Sequence, residues 1–256
     1  GNYLKQVGAY TGGIGPLDFN GDVSISSGGL TLSSGTTTFA GTIFSMSGTG
    51  FNNNNGTFII DGALDSQLTF PSSTLLNNLT FNAPNRVVQI FTPVSIVGLL
   101  NLVDGNHNGS TIDARGNVSI GPGFDGGSGN MQFGGTADQT YSNNGGVTPV
   151  GIWVLNKTGG TVSLATDLDL SGGSNTLILT NGTITTGANV LNAGNRATSR
   201  TSGRIIGNLT RSFNAIGSKT FDVGTSNGYS PVAVNVTTLV TNPSSLTVSS
   251  NQIAYP

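Results

Sequence analysis

Between Asn20 and Gly194, short apolar runs alternate with polar turns at a spacing that suits strands and not helices. Val23 and Ile25, Leu30 and Leu32, Leu79 and Phe81, and Leu177 and Leu179 each place apolar side chains two residues apart. That is the repeat of a half-buried strand. The spacers, such as Ser26-Ser27-Gly28-Gly29 and Asn52-Asn53-Asn54-Asn55-Gly56, carry the residues that turns prefer. No stretch of a dozen residues shows a convincing helical period. The pattern predicts an all-β chain.

The runs also repeat. Asp61 to Phe70 resembles Gly134 to Tyr141, each a small acidic turn entering an aromatic strand. Each is followed by an apolar strand with an Asn corner, at Asn82 and at Asn156, and then by Val87 to Ile90 or Thr161 to Leu164. The offset stays at about 74 residues, which fits three coils of roughly 20 to 30 residues each. One coil cannot bury its apolar face alone, whereas stacked coils pair their backbones and close a common core. A β-solenoid (parallel β-helix) is therefore expected over residues 17–195. Its inward positions would be Val23, Ile25, Leu30, Leu32, Phe58, Ile60, Leu79, Phe81, Val162, Leu164, Leu168 and Leu170. Corner residues Asn82, Asn156 and Asn181 would take left-handed backbone angles and bond to the next coil.

The pattern changes after Gly194. Residues 203–213 and 219–224 read as a hairpin, followed by alternating strands at 230–237 and 245–249. Residues 196–256 are thus expected to form a small antiparallel β module covering the last coil, since a bare edge strand invites aggregation. Residues 1–16, with Gly12-Gly13-Ile14-Gly15-Pro16, read as an arm, flexible or docking onto a neighbouring subunit.

Composition narrows the picture. There are forty glycines, only 8% charged residues and no Glu. The scarcity of helix-stabilising charged residues and the recurrent Val, Ile, Thr and Phe agree with pleated surfaces. A net charge of −2 gives no basic footprint for nucleic acid. Five of the nine cations gather as Arg196, Arg200, Arg204, Arg211 and Lys219, expected to be a solvated surface or an anionic-partner patch. With no cysteine there is neither a disulfide nor a thiolate metal site. No apolar run approaches about 18 residues, so no membrane-spanning helix is expected. The chain starts at Gly1 without a charged and apolar leader, which reads as a processed mature form.

The stretch from Thr158 to Leu170, followed by Leu177 to Ile184, resembles the glycine- and threonine-rich repeats of bacterial cell-surface β-helix proteins. The segments 207–213, 221–224 and 229–232 are similar to parts of large secreted proteins of Bacteroidetes-like bacteria. The resemblance implies an exported surface or matrix protein and brings no catalytic residues with it.

Candidate chemistry is sparse. Asp104-Gly105-Asn106-His107-Asn108-Gly109 places oxygen side chains at alternate positions before a glycine, as calcium loops do, with Asp113 standing in for the missing bidentate Glu. A plain turn explains the same residues; Asp18, Asn20 and Asp22 form a weaker version. His107, the single histidine, is expected on an exposed loop tip, without the serine elbow of a hydrolase. Asp167 and Asp169 could be paired carboxylates, but flanked by Leu168 and Leu170 they read as the outward face of a strand. Thr36, Thr38, Thr183 and Thr185 could build threonine ladders, and Tyr141 and Trp153 could stack on sugars, although packing suits Trp153 better.

The reading is a non-enzymatic extracellular structural or adhesive protein, a fibre subunit or adhesin stalk. It would have no obligatory cofactor and would self-associate head to tail. Contact with glycans or a cell surface is a further expectation. The alternative is a carbohydrate- or ice-binding module on a flat face, with a polysaccharide lyase behind it.

Overall fold

The structure, a computed structural model, describes residues 4–48, 50–239 and 244–251. The chain divides into two compact units, residues 1–132 with 144–149 and residues 133–143 with 150–256. Among the described residues there is no helix, and so none long and apolar enough to cross a membrane. The fold is a parallel β-solenoid with a small antiparallel sheet near the C-terminus.

In the first unit, strands from successive coils lie in register. The inward positions of Leu17–Phe19, Thr36–Phe39, Thr57–Ile60, Asn78–Ile90, Leu100–Gly109 and Val118–Gly126 form unbroken rows. One row runs Phe19, Phe39, Ile60, Phe81, Leu102 and Ile120. A second runs Val23, Phe44, Leu68 and Ile90, and a third runs Leu76, Ile96 and Ala114. Side chains on the opposite pleat point out, so alternation in sequence becomes stacking in space. Phe39, Phe44, Phe51, Phe58 and Phe70 pack with ring centroids 5.2 to 6.5 Å apart.

The second unit repeats the scheme. Strands Gln139–Asn143, Trp153–Leu164, Leu177–Asn192 and Arg204–Phe213 stack in parallel. Gln139, Val162, Ile184, Ile205 and Val223 form one row, and Leu168, Leu191 and Leu209 another. All twelve positions expected to face inward are buried.

Three features differ from the sequence reading. The expected hairpin at 203–224 does not form, because Ile205 and Ile206 pair in parallel with Val223 and Gly224; these are further coils of the solenoid. Antiparallel pairs in the described C-terminal residues are Gly217–Phe221 with Val232–Val236, Val223–Thr225 with Gly228–Tyr229, and Ser244–Ser249 along Asn208 to Phe213. This last pairing covers the edge of Arg204–Phe213, the protective role expected of the C-terminal segment.

Secondly, the segment read as an arm contains strands: Leu4–Val7 pairs with Val23–Ser27, and Tyr10–Thr11 with Gly29–Thr31. Deleting residues 1–16 would therefore strip strands from a sheet and expose a new edge. Residues 1–3 lie outside the described residues.

Thirdly, among the described residues the non-glycine left-handed ones are Asn54, Asn55, Ser73 and Asn85. Asn82, Asn156 and Asn181 lie inside strands, and Asn156 sits beside Asn181 on the next coil. Asn181 does make the expected bond to the next coil, its Oδ1 accepting the Ser202 hydroxyl at 3.1 Å, and Asn54 and Asn77 make others, to the Leu32 carbonyl at 3.2 Å and the Asn55 carbonyl at 2.7 Å.

Candidate functional site

Most aspartates tie one coil to the next. Asp65 Oδ1 accepts the Val87 N–H at 2.9 Å, Asp138 Oδ1 accepts the Thr161 N–H at 2.8 Å, and Asp167 Oδ1 accepts the Val190 N–H at 2.8 Å. Asp22 Oδ1 accepts both the Thr42 and Ile43 amides and the Thr42 hydroxyl. These bonds, the Ile43 amide first, hold the Asp22 carboxyl below its usual range. Asp169, the partner suggested for Asp167, accepts from Ser171 N–H at 2.9 Å and from the Asn192 amide at 3.1 Å. Both carboxylates thus hold strand geometry.

The calcium candidates lie on strands, not in a loop. Asp104, Asn106 and Asn108 belong to Leu100–Gly109, which is paired on both sides, and Asp113 belongs to Thr111–Ala114. Asp104 Oδ1 accepts the Gly105 N–H at 2.7 Å, and Asn108 Oδ1 accepts the Ser128 amide and hydroxyl at 2.7 and 3.0 Å. Asp113 takes Arg115 Nε at 2.7 Å, Ser95 Oγ at 3.1 Å and Gln132 Nε2 at 2.9 Å. Among the described residues no group of three or more His or Asp side chains is placed to hold a metal ion.

His107 is not on a loop tip. It is fully buried, continuing the inward row Ser66, Val88, His107. Gly105, with φ at +89°, sits where the register shifts, and so sets the following residues' alternation. The ring packs edge-on against Phe81 at 6.1 Å, and neither nitrogen has a hydrogen-bond partner. Burial pushes the imidazole down to about 4; backbone groups of Asn130, Ser110 and Val88 offset part of that loss, none in hydrogen-bonding geometry. Tyr141 is likewise buried, against Trp153 at 6.5 Å and Phe133 at 6.3 Å, and so presents no stacking face for a sugar. Trp153 packs inward as expected.

What remains on the surface is a row of outward side chains in the first unit. Asp18, Thr38, Ile59, Thr80, Asn101 and Ser119 follow one another across adjacent coils. After Asp18 the row is uncharged. Thr36 and Thr38 point outward, whereas Thr37 is buried and accepts the Ser33 N–H at 3.1 Å.

The same unit also holds a groove of about 310 Å³ lined by Phe51, Asn52, Asn53, Ser72 and Ser73 among others. Ser73 holds φ at +62°, a conformation that costs a residue with a Cβ on the order of 1 kcal/mol. Phe51 rests edge-on against Phe44 and Phe70. The aromatic beside an asparagine run was visible in sequence; that residues 71–75 come alongside it was not.

The cation cluster, expected as a solvated surface or an anionic-partner patch, is in part buried, with Arg200, Arg204 and Lys219 half-exposed. Arg196 is fully buried and Arg211 is 4% exposed. Arg196 donates to the carbonyls of Leu170, Gly151, Asn175 and Val150 at 2.6 to 3.0 Å, joining three coils. Comparison with protein-family models, with curated proteins and with solved structures found no match.

Proposed function

We propose that this protein is a non-enzymatic structural or adhesive element working outside the cell, as a stalk or as the subunit of a fibre. The observation that carries the reading is the uncharged outward row Thr38, Ile59, Thr80, Asn101 and Ser119 on a backbone bonded coil to coil. Each backbone bond contributes about 1 kcal/mol net, and together they stiffen the stack. Rows spaced about 4.8 Å apart present hydroxyl and amide groups without charge repulsion, which favours side-by-side contact with further copies of the chain. The resemblance of residues 158–184 to surface β-helix repeats points the same way. The test is Thr38→Lys with Thr80→Lys. Surface adhesion or fibre formation, scored by negative-stain microscopy and sedimentation, is expected to fall while the β-type circular dichroism spectrum stays unchanged. Undiminished assembly by the charged variant counts against the reading.

The groove at Phe51 favours a second reading, a carbohydrate-binding module. An aromatic face flanked by amides and hydroxyls suits a sugar ring, whose apolar face stacks while its hydroxyls bond. A glycan array probed with wild type and Phe51→Ala separates the two; a silent array removes the second.

A further inference from the structure

The second unit holds a cavity of about 500 Å³ whose lining includes Arg196, Arg200, Arg211 and Lys219, with Asp222 as its one carboxylate. Four cations against one carboxylate leave three net positive charges around it. None of the four cations is hydrogen-bonded to a carboxylate. Arg196 is spent on backbone carbonyls. Arg200 donates to the Gly203 carbonyl at 2.7 Å and lies 3.4 Å over the Tyr229 ring. Arg211 donates to Thr198 Oγ1, to the Thr220 carbonyl and to the Arg196 carbonyl at 2.6 to 3.1 Å. Asp222 itself accepts the Tyr229 hydroxyl at 2.7 Å.

Two groups are left incompletely bonded. Arg211 Nε is buried without a hydrogen-bond partner, on a side chain only 4% exposed. A buried guanidinium N–H left unmade is costly and rare, and it points to a missing acceptor. Lys219 Nζ donates to Asn195 Oδ1 and keeps two more hydrogens. Burial first, and the Arg211 charge second, hold the Lys219 ammonium below its usual value. Like charges crowded in a partly dry cleft are stabilised by an anion brought between them.

We propose that this cavity is a binding site for a tetrahedral oxyanion, sulfate or phosphate, free or carried as an ester on a sugar. Lys219 Nζ supplies donors, the Arg211 guanidinium and the stacked Arg200 add charge from the lining, and Arg196 adds field from the buried side. A tetrahedral group with three or four acceptor oxygens answers several converging cations better than a carboxylate does. The volume leaves room for an attached sugar. The site does not depend on the stalk or fibre reading.

Isothermal titration calorimetry on the full chain tests this at constant ionic strength set with chloride. Four probes are used: sodium sulfate, sodium phosphate, a sulfated oligosaccharide and its unsulfated counterpart. Saturable one-to-one binding is expected for the ions or the sulfated sugar, and not for the unsulfated one. Tighter binding of the sulfated sugar than of free sulfate assigns an ester as the source; equal or weaker binding assigns the free ion. Lys219→Gln should weaken binding about tenfold, and Asp222→Asn should strengthen it several-fold by removing the opposing charge. Absence of saturable binding by every anionic probe, or unchanged affinity in Lys219→Gln, overturns the proposal.

Discussion

Asp65 Oδ1 accepts the backbone N–H of Val87 at 2.9 Å, one coil further along the chain, and Asp138 makes the same bond to Thr161 at 2.8 Å. The two pairs occupy equivalent places in the repeat seen in the sequence. Each carboxylate pins the start of an inward run, Val88 and Ile90 in one case, Val162 and Leu164 in the other. Asp65→Ala is expected to destabilise the chain by about 1–2 kcal/mol, the loss of one charge-assisted bond. The denaturant midpoint should fall with its slope unchanged; an unaltered midpoint means that water replaces the carboxylate without loss.

Gly129 donates its N–H to the His107 carbonyl at 2.8 Å, and a methyl group at Gly129 would overlap the imidazole. Gly129→Ala should cost about 1–3 kcal/mol through overpacking. In a double-mutant cycle with His107→Ala, that penalty should largely vanish, since the overlapped ring is gone. Additive losses would place the clash elsewhere.

His107 gives the fold a pH dependence of definite sign. The buried ring is held neutral down to about 4, whereas in the unfolded chain it takes up a proton near its ordinary value of 6.5. Between these values unfolding binds a proton, so stability is full above about pH 6.5 and falls as pH drops toward 4, by on the order of 3 kcal/mol. Below that window the effect is complete. Thermal unfolding of wild type and His107→Leu from pH 7.5 to 4 should show a steeper fall for wild type; parallel curves exclude the histidine.

Lys157 is a buried cation that donates to the Gly134 carbonyl at 3.0 Å, the Ala137 carbonyl at 2.7 Å and Gln139 Oε1 at 2.8 Å. It closes the turn that carries Asp138. Lys157→Met keeps the aliphatic stem and removes all three bonds at once. The expected loss is about 3 kcal/mol, with hydrogen exchange accelerating first at residues 134–139. Uniform exchange across the unit would deny Lys157 this local role.

The strand Ser244–Ser249 lies antiparallel along Asn208 to Phe213 and occupies an edge that would otherwise be open. A chain ending at residue 243 should self-associate in a concentration-dependent way by light scattering, because bare edges recruit other chains. Thr210→Lys in that shortened chain, which puts a charge on the bared edge, should reduce the association; if it does not, another surface is responsible.

The sequence by itself determined that the alternating aliphatic and phenylalanine side chains face the core, the approximate length of a coil and the equivalence of Asp65 with Asp138. These follow from a two-residue alternation and from self-similarity, both carried by the backbone locally and indifferent to distant partners. The tertiary structure alone decided the rest. Residues 203–224 stack as coils because Val223 finds Ile205 in parallel. A local reading of two short alternating runs favours a hairpin, and direction is settled only by which edge is open. His107 turned inward because the shifted register of its strand sets it beside the inward Val88, and Tyr141 because it lies in register with the inward Leu164 of the next coil. Arg196 and Arg211 were buried for the same reason: carbonyls from several coils converge on their guanidinium groups. No local stretch of sequence encodes that convergence.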